Sequence, residues 1–238
     1  VAAFLDRKWA AECVPTLEAY VRIPCQSPAF DPEWETNGLL AEAMDLLHQW
    51  VARQSVPGMT SDVFHEPGKT PVMLVQVPGT DPTFGQRILM YGHMDKQPPL
   101  LPWDEGLDPY TPVLRDGKLY GRGAADDGYA IFAAITCIQA LQAAGTPHGP
   151  ITVLIEADEE SGSVSLPFWI DRLRPNLGTP DLIFCLDSGT LNYDQLWLTS
   201  SLRGEVSGVL SVEILKEGVH SGIYGGIVPD TFRIVRQL

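Results

Sequence analysis

Residues 87–95 read RILMYGHMD, and residues 151–160 read ITVLIEADEE. Each is an apolar run that ends in charge. Runs of this length without polar alternation describe strands buried on both faces, as in parallel sheets between helices. A third run, DLIFCLD at 181–187, has the same design. Between them, AIFAAITCIQALQAA (130–144) reads as a buried helix and LPFWIDRL (166–173) as a short one. Upstream, apolar residues recur at helical spacing over 2–21 and 37–53, and DVFH and PVMLVQV are short β-type runs. The Pro- and Gly-rich stretch at 97–123 reads as a long loop. Apolar strands separated by helices predict an α/β domain whose mixed, mostly parallel sheet is flanked by helices. From Leu202 the texture changes. EVSGVLSVEILKE (205–217) alternates small, polar and apolar residues and suits a strand covered on one face. The expected division is a first domain over 1–201 and the start of a second domain over 202–238.

With 238 residues, 45% hydrophobic and 19% charged, the composition favours a packed core over disorder. The net charge of −14 repels nucleic-acid phosphates and anionic lipid, so neither is an expected partner. No apolar run reaches the ~20 residues of a membrane-spanning helix. Cys13, Cys25, Cys137 and Cys185 form no CxxC pair. They are expected to be reduced, buried thiols of a cytoplasmic protein. The start, VAAFLDRKWAAE, lacks the basic and long apolar regions of a signal peptide. The chain opens on Val and stops at IVRQL inside a helical pattern, so a piece of a longer protein is expected.

In open α/β sheets, ligands bind beyond the carboxyl ends of the strands. That rule brings His93 and Asp95, then Asp158, Glu159 and Glu160, then Asp187 to one sheet edge. A fourth segment, GRGAADDG (121–128), carries Asp126 and Asp127 into the buried helix on glycines that permit close backbone approach. Clustered acids raise one another's pKa, and a divalent cation removes that cost. Carboxylate oxygen with imidazole nitrogen suits zinc, or less specifically manganese. One Asp can bridge two ions ~3.5–4 Å apart, as in two-metal hydrolases. If the strand continues past His93, Asp95 lies on the same face and can hold the free imidazole N–H. Of the adjacent Glu159 and Glu160, one can bind metal while the other, unbound, takes a proton from an activated water. GRGAADDG is not GxGxxG, and its acids disfavour phosphate. Neither GxSxG nor a convincing Cys/His pair supports a nucleophilic serine or cysteine.

YGHMDKQP (91–98), LYGRGAADDG (119–128), EADEESGS (156–163), FCLDSG (184–189), SLRG (201–204) and GVHSGIYGG (218–226) occur in that order. Together they resemble a zinc metallopeptidase family. It includes carnosinases and other dipeptidases, aminoacylases, glutamate carboxypeptidases and succinyl-diaminopimelate desuccinylase; the carnosinase-like branch fits best. The resemblance implies a zinc-exopeptidase-like sheet with an inserted α+β lid and dimerisation domain, entered at SLRG. It implies two Zn2+ per active site, with Mn2+ or Co2+ as substitutes. His93 and Asp187 would bind one ion, Asp126 would bridge both and Glu160 would bind the second. Glu159 would be general base and then acid, Asp95 would orient His93, and a cis peptide would join Asp126 to Asp127. His220 would be a lid histidine that reaches the partner subunit's site in a homodimer and helps stabilise the oxyanion.

Two features depart from the family pattern. Gly128-Tyr129 stands where Lys, often Lys-Gly, is usual. The second ion's histidine is expected beyond Leu238, and neither His65 nor His148 is a convincing substitute. The second site is therefore expected to be incomplete, and this chain poorly active. The function implied is metal-dependent cleavage of the amide bond of dipeptides or small peptides, the chemistry of a dipeptidase or carboxypeptidase. One alternative is an N-acyl amino acid deacylase or desuccinylase. Another is a non-catalytic metal- or peptide-binding protein, against which an intact Glu159 argues.

Overall fold

A computed structural model describes residues 1–238. The N-terminal pattern forms one run of helix: α1 (Ala2–Lys8), a π turn over Trp9–Cys13, and α2 (Val14–Val21). Pro15, in the first turn of α2, has no N–H to donate, and the π turn accommodates the missing bond. α3 (Leu39–Ala52) buries Leu40, Ala43, Met44, Leu47, Trp50 and Val51, one face at helical spacing. The strands β1 (Thr60–Glu66), β2 (Lys69–Val77) and β3 (Ile88–His93) follow, then a small hairpin of β4 (Val113–Arg115) and β5 (Lys118–Tyr120). Next come α4 (Ala130–Ala143), β6 (Ile151–Glu156), α5 (Leu166–Arg172), α6 (Arg174–Leu177) and β7 (Leu182–Cys185). The chain closes with two short helices, α7 (Ser221–Tyr224) and α8 (Thr231–Val235).

The main sheet has the order β1-β2-β6-β3-β7. β2 runs against its neighbours β1 and β6, while β6, β3 and β7 are parallel. Side chains alternate across this sheet. Met73, Val75, Val77, Val153 and Ile155 join the core built with α2, α3 and α4. Val72, Leu74 and Leu154 face the other way, against Trp169 and Leu173. β2 and β6 are thus buried on both sides, as uninterrupted apolar runs require. Register sets the site: His93 pairs with Glu156 and Tyr91 with Cys185, so the carboxyl ends of β3, β6 and β7 lie side by side.

Several details differ from the sequence reading. The 97–123 loop contains the β4–β5 hairpin, turned by Asp116-Gly117 with φ of 53° and 75°. β7 is the edge strand, laddered on one side only, and every one of its residues is exposed, Ile183 to 54%. Its apolar run is therefore not buried on two faces. Cys13 and Cys25 are buried, but Cys137 and Cys185 are exposed, on α4 and on this edge strand; all four are unpaired. The 205–217 run makes no strand, because a strand needs a hydrogen-bonded neighbour and this one has none.

The chain divides into two compact units, Val1–Trp197 and Leu198–Leu238. The second contains α7, α8 and one isolated bridge between Gly225 and Val228, with no fully buried residue. No helix is long and apolar enough to cross a membrane.

Candidate metal centre

The parallel strands deliver His93 to the sheet edge, and Gly92 makes room for what packs behind it. A Cβ at Gly92 would meet the Ala130 Cβ at 2.4 Å and Asp127 Oδ2 at 2.6 Å. The glycine thus lets the start of α4 press onto the β3 backbone, where the His93 amide donates to Asp127 Oδ2 at 3.1 Å. The Asp126–Asp127 peptide is cis. Gly128 serves a second close approach: a Cβ there would meet the Tyr20 ring at 2.3 Å and the Gly123 carbonyl at 2.4 Å. In this packing, Tyr20 leaves no space for a side chain at that position.

Around the His93 ring, Nε2 lies 3.2 Å from Asp126 Oδ1, 3.6 Å from Asp187 Oδ2 and 3.8 Å from Glu159 Oε2. Nδ1 donates to the Asp95 carbonyl at 3.1 Å and lies 3.4 Å from its Oδ1. This leaves Nε2 to face the acids. β3 ends at His93, so Asp95 reaches the ring from the turn after the strand rather than from a shared strand face. Its buried carboxylate also accepts the Glu159 amide at 3.1 Å and the Glu160 amide at 3.0 Å. One side chain thereby braces both the imidazole and the turn that carries the two glutamates. Asp158 does not reach the cluster. It is buried and turned away, accepting the Ser165 amide at 2.9 Å.

Two overlapping donor groups result: His93, Glu159 and Asp187, and His93, Asp126 and Glu160, each with ligand atoms within 4.8 Å of one another. Burial pushes the Glu159, Glu160 and Asp187 carboxyls up, with further upward contributions from neighbouring acids. The hydrogen bond to His93 holds Asp126 down. For His93, burial opposes the charged ring. The hydrogen bonds to Asp126 and Asp95 outweigh it and raise the pKa to about 11. Glu160 Oε2 accepts Gln97 Nε2 at 2.6 Å, whereas its buried Oε1 has no partner. A hard or borderline dication fits this set: one imidazole nitrogen, several carboxylates at unfavourable spacing, and an orphaned oxygen among them.

Neither His65 nor His148, dismissed from the sequence as substitutes for the missing ligand, joins the cluster. His65 is exposed on β1. His148 is buried with both ring nitrogens engaged, Nδ1 with the Gly149 carbonyl and Nε2 with Gln142. His220 belongs to the second unit, where Nδ1 accepts the Gly222 amide at 3.1 Å and caps α7.

Supporting residues escaped the sequence reading. Lys96 is fully buried, and its ammonium donates to the carbonyls of Tyr20, Val21 and Ile23 at 2.9, 3.2 and 2.7 Å. It thereby ties the end of α2 to the strand that carries the site. Burial lowers its pKa to about 8. Ser161 Oγ lies 2.6 Å from Ser27 Oγ and accepts the Ala29 amide, pinning the glutamate turn from its far side. Only adjacency to HMD and DEE marked Lys96, Gln97 and Ser161; nothing in the pattern gave them partners.

Residues 89–201 match the family described as peptidase family M20/M25/M40. The chain is similar to a Beta-Ala-His dipeptidase of Homo sapiens, 31% identical over 92% of this chain and 44% of that protein. A Cysteinylglycine-S-conjugate dipeptidase of Corynebacterium striatum is 36% identical over 60% of this chain and 31% of its own length. Among solved structures, human carnosine dipeptidase 1 superposes with a TM-score of 0.62 at 25% identity, over 98% of this chain and 50% of that one. The chain thus spans no more than about half the length of these relatives.

Proposed function

We propose, from the match of residues 89–201 to peptidase family M20/M25/M40, that this chain forms the metal-binding part of a zinc-dependent hydrolase. The bond cleaved is the amide of a dipeptide or small peptide. The observation that carries this reading is the convergence of His93, Asp126, Glu159, Glu160 and Asp187, with Asp95 bracing both sides. His93 and Asp187 would hold one ion, Asp126 would be shared, and Glu160 would hold the other. Zinc bound there supplies a Lewis acid for the scissile carbonyl and acidifies a water.

The chain's own groups do the rest. Asp95 fixes the ring so that Nε2 faces the ion. Glu159, left unbound, accepts the proton of the attacking water and returns it to the leaving amine. Burial raises its pKa, which favours proton transfer near neutral pH. His220 is proposed as an oxyanion donor presented to a partner subunit in a homodimer. The unit boundary at Leu198 supports a separate module carrying it. Because His93 is the only imidazole in either donor group, one ion per chain is held tightly and the second weakly. Four unpaired cysteines support a cytoplasmic location.

Glu159→Ala in the zinc-loaded protein is expected to lower turnover at least about 100-fold while zinc content is unchanged. Loss of zinc along with turnover would make Glu159 a ligand and remove it as the base. A panel of dipeptides and N-acyl amino acids fixes the substrate class: cleavage of the N-acyl compounds alone would replace the dipeptidase reading with a deacylase. No turnover on any member by the metal-loaded full-length protein would leave a binding protein.

A further inference from the structure

β7 is laddered only to β3, yet it leads directly into Asp187. The last backbone tie before that residue is the Leu186 amide, which donates to the Tyr91 carbonyl at 2.8 Å. β7 has no ladder partner on its other side. The structure supplies a tie from another element. Tyr129, at the N-cap of α4, packs its ring against the main core and extends its hydroxyl to this segment. The hydroxyl donates to the Leu186 carbonyl. That bond fixes the peptide group immediately before Asp187. Burial raises the phenol to about 12, so its proton stays available to the carbonyl.

The same stretch of chain carries Asp126 and Asp127 immediately before Tyr129. The tie therefore couples the segments that present two of the candidate ligands. A tyrosine suits this task because its side chain has two torsions and little freedom to lose once the ring is packed.

We propose that Tyr129 is a positioning residue that holds the backbone around Asp187 so that its carboxylate stands ready opposite His93 Nε2 before an ion binds. The proposal rests on the reading of Asp187 as a metal ligand. It adds a device that preorganises the end of an edge strand; ordering a ligand in advance raises affinity by lowering what binding must order.

The test compares zinc affinity, by competition with a chromophoric chelator, in the wild type, Tyr129→Phe and Asp187→Ala. Melting of the metal-free proteins is followed in parallel. Tyr129→Phe keeps the ring and removes only the hydroxyl. It is expected to weaken zinc about tenfold, the lower end for residues that orient ligands, and Asp187→Ala to weaken it further. If Tyr129→Phe lowers only the metal-free melting temperature and leaves zinc affinity intact, Tyr129 is structural and the proposal falls. If Asp187→Ala itself leaves zinc affinity unchanged, Asp187 is not a ligand, and the reading of the site falls with the proposal.

Discussion

The Asp95 carboxylate accepts two amides, those of Glu159 and Glu160, while lying beside His93 Nδ1. An asparagine there keeps the shape but has one acceptor instead of two, so its NH2 would confront an amide N–H or the ring N–H. Asp95→Asn is expected to weaken zinc about 10- to 100-fold, measured by chelator competition; unchanged affinity would mean that the glutamate turn is held by other bonds. A second prediction concerns protons. In the metal-free site, burial disfavours charge on His93, but Asp126 and Asp95 hold its proton to about 11. A ligating imidazole must be neutral, so zinc binding near pH 7 displaces that proton. Affinity should rise with pH by up to about tenfold per unit. Calorimetry in buffers of different ionisation enthalpy should show at least one proton released with the tightly held ion; equal heats in all buffers would contradict this.

At the scale of elements, β6 ends on a buried carboxyl. Glu156 is 1% exposed, and its Oε1 accepts the Tyr91 and Ser163 hydroxyls while Oε2 has no partner. Burial raises its pKa from 4.5 to about 8. The folded state therefore binds the proton more tightly than the unfolded chain. The stability it contributes is full below about pH 4.5 and is lost as pH rises through about 8. Glu156→Gln removes that titration. Relative to wild type it should gain stability at pH 9 over pH 5, read from urea unfolding at the two values. A residual slope of the same sign remains from Asp127, which burial also raises to about 8, and from His93, opposed above about pH 8 by Lys96, whose pKa burial lowers. A wild-type stability that climbs between pH 5 and 9 would refute this account. The hairpin β4–β5 illustrates what single elements conceal. Its Asp116-Gly117 turn is a strong local signal, but strands of three residues are too short to show alternation, and the surrounding prolines read as loop.

Across the whole molecule, burial is uneven. Met73, Val75, Val153 and Ile155 are at most 1% exposed at the centre of the sheet, whereas Leu198–Leu238 has no fully buried residue and no ladder. Local opening requires little where few apolar contacts must break. In hydrogen exchange, amides of residues 198–238 should exchange at near-intrinsic rates, and those of β2 and β6 should exchange slowest. Comparable protection in both regions would show that the second unit is ordered by contacts stronger than its burial indicates.

The apolar runs by themselves determined a layered α/β arrangement and which strand ends carry His93, the Glu159-Glu160 pair and Asp187. Lengths of apolar sequence encode buried strands, and parallel strands end on a common edge. The same pattern could not show that β7 lies exposed at the edge, because burial on two faces depends on neighbours that a strand's own residues do not specify. Nor could it separate Asp158, turned toward Ser165, from Glu159 and Glu160 beside it, or pair Asp95 with two amides more than sixty residues away. Those outcomes belong to the tertiary structure: a hydrogen bond is made over about 3 Å, and only packing sets distances between segments far apart in the chain.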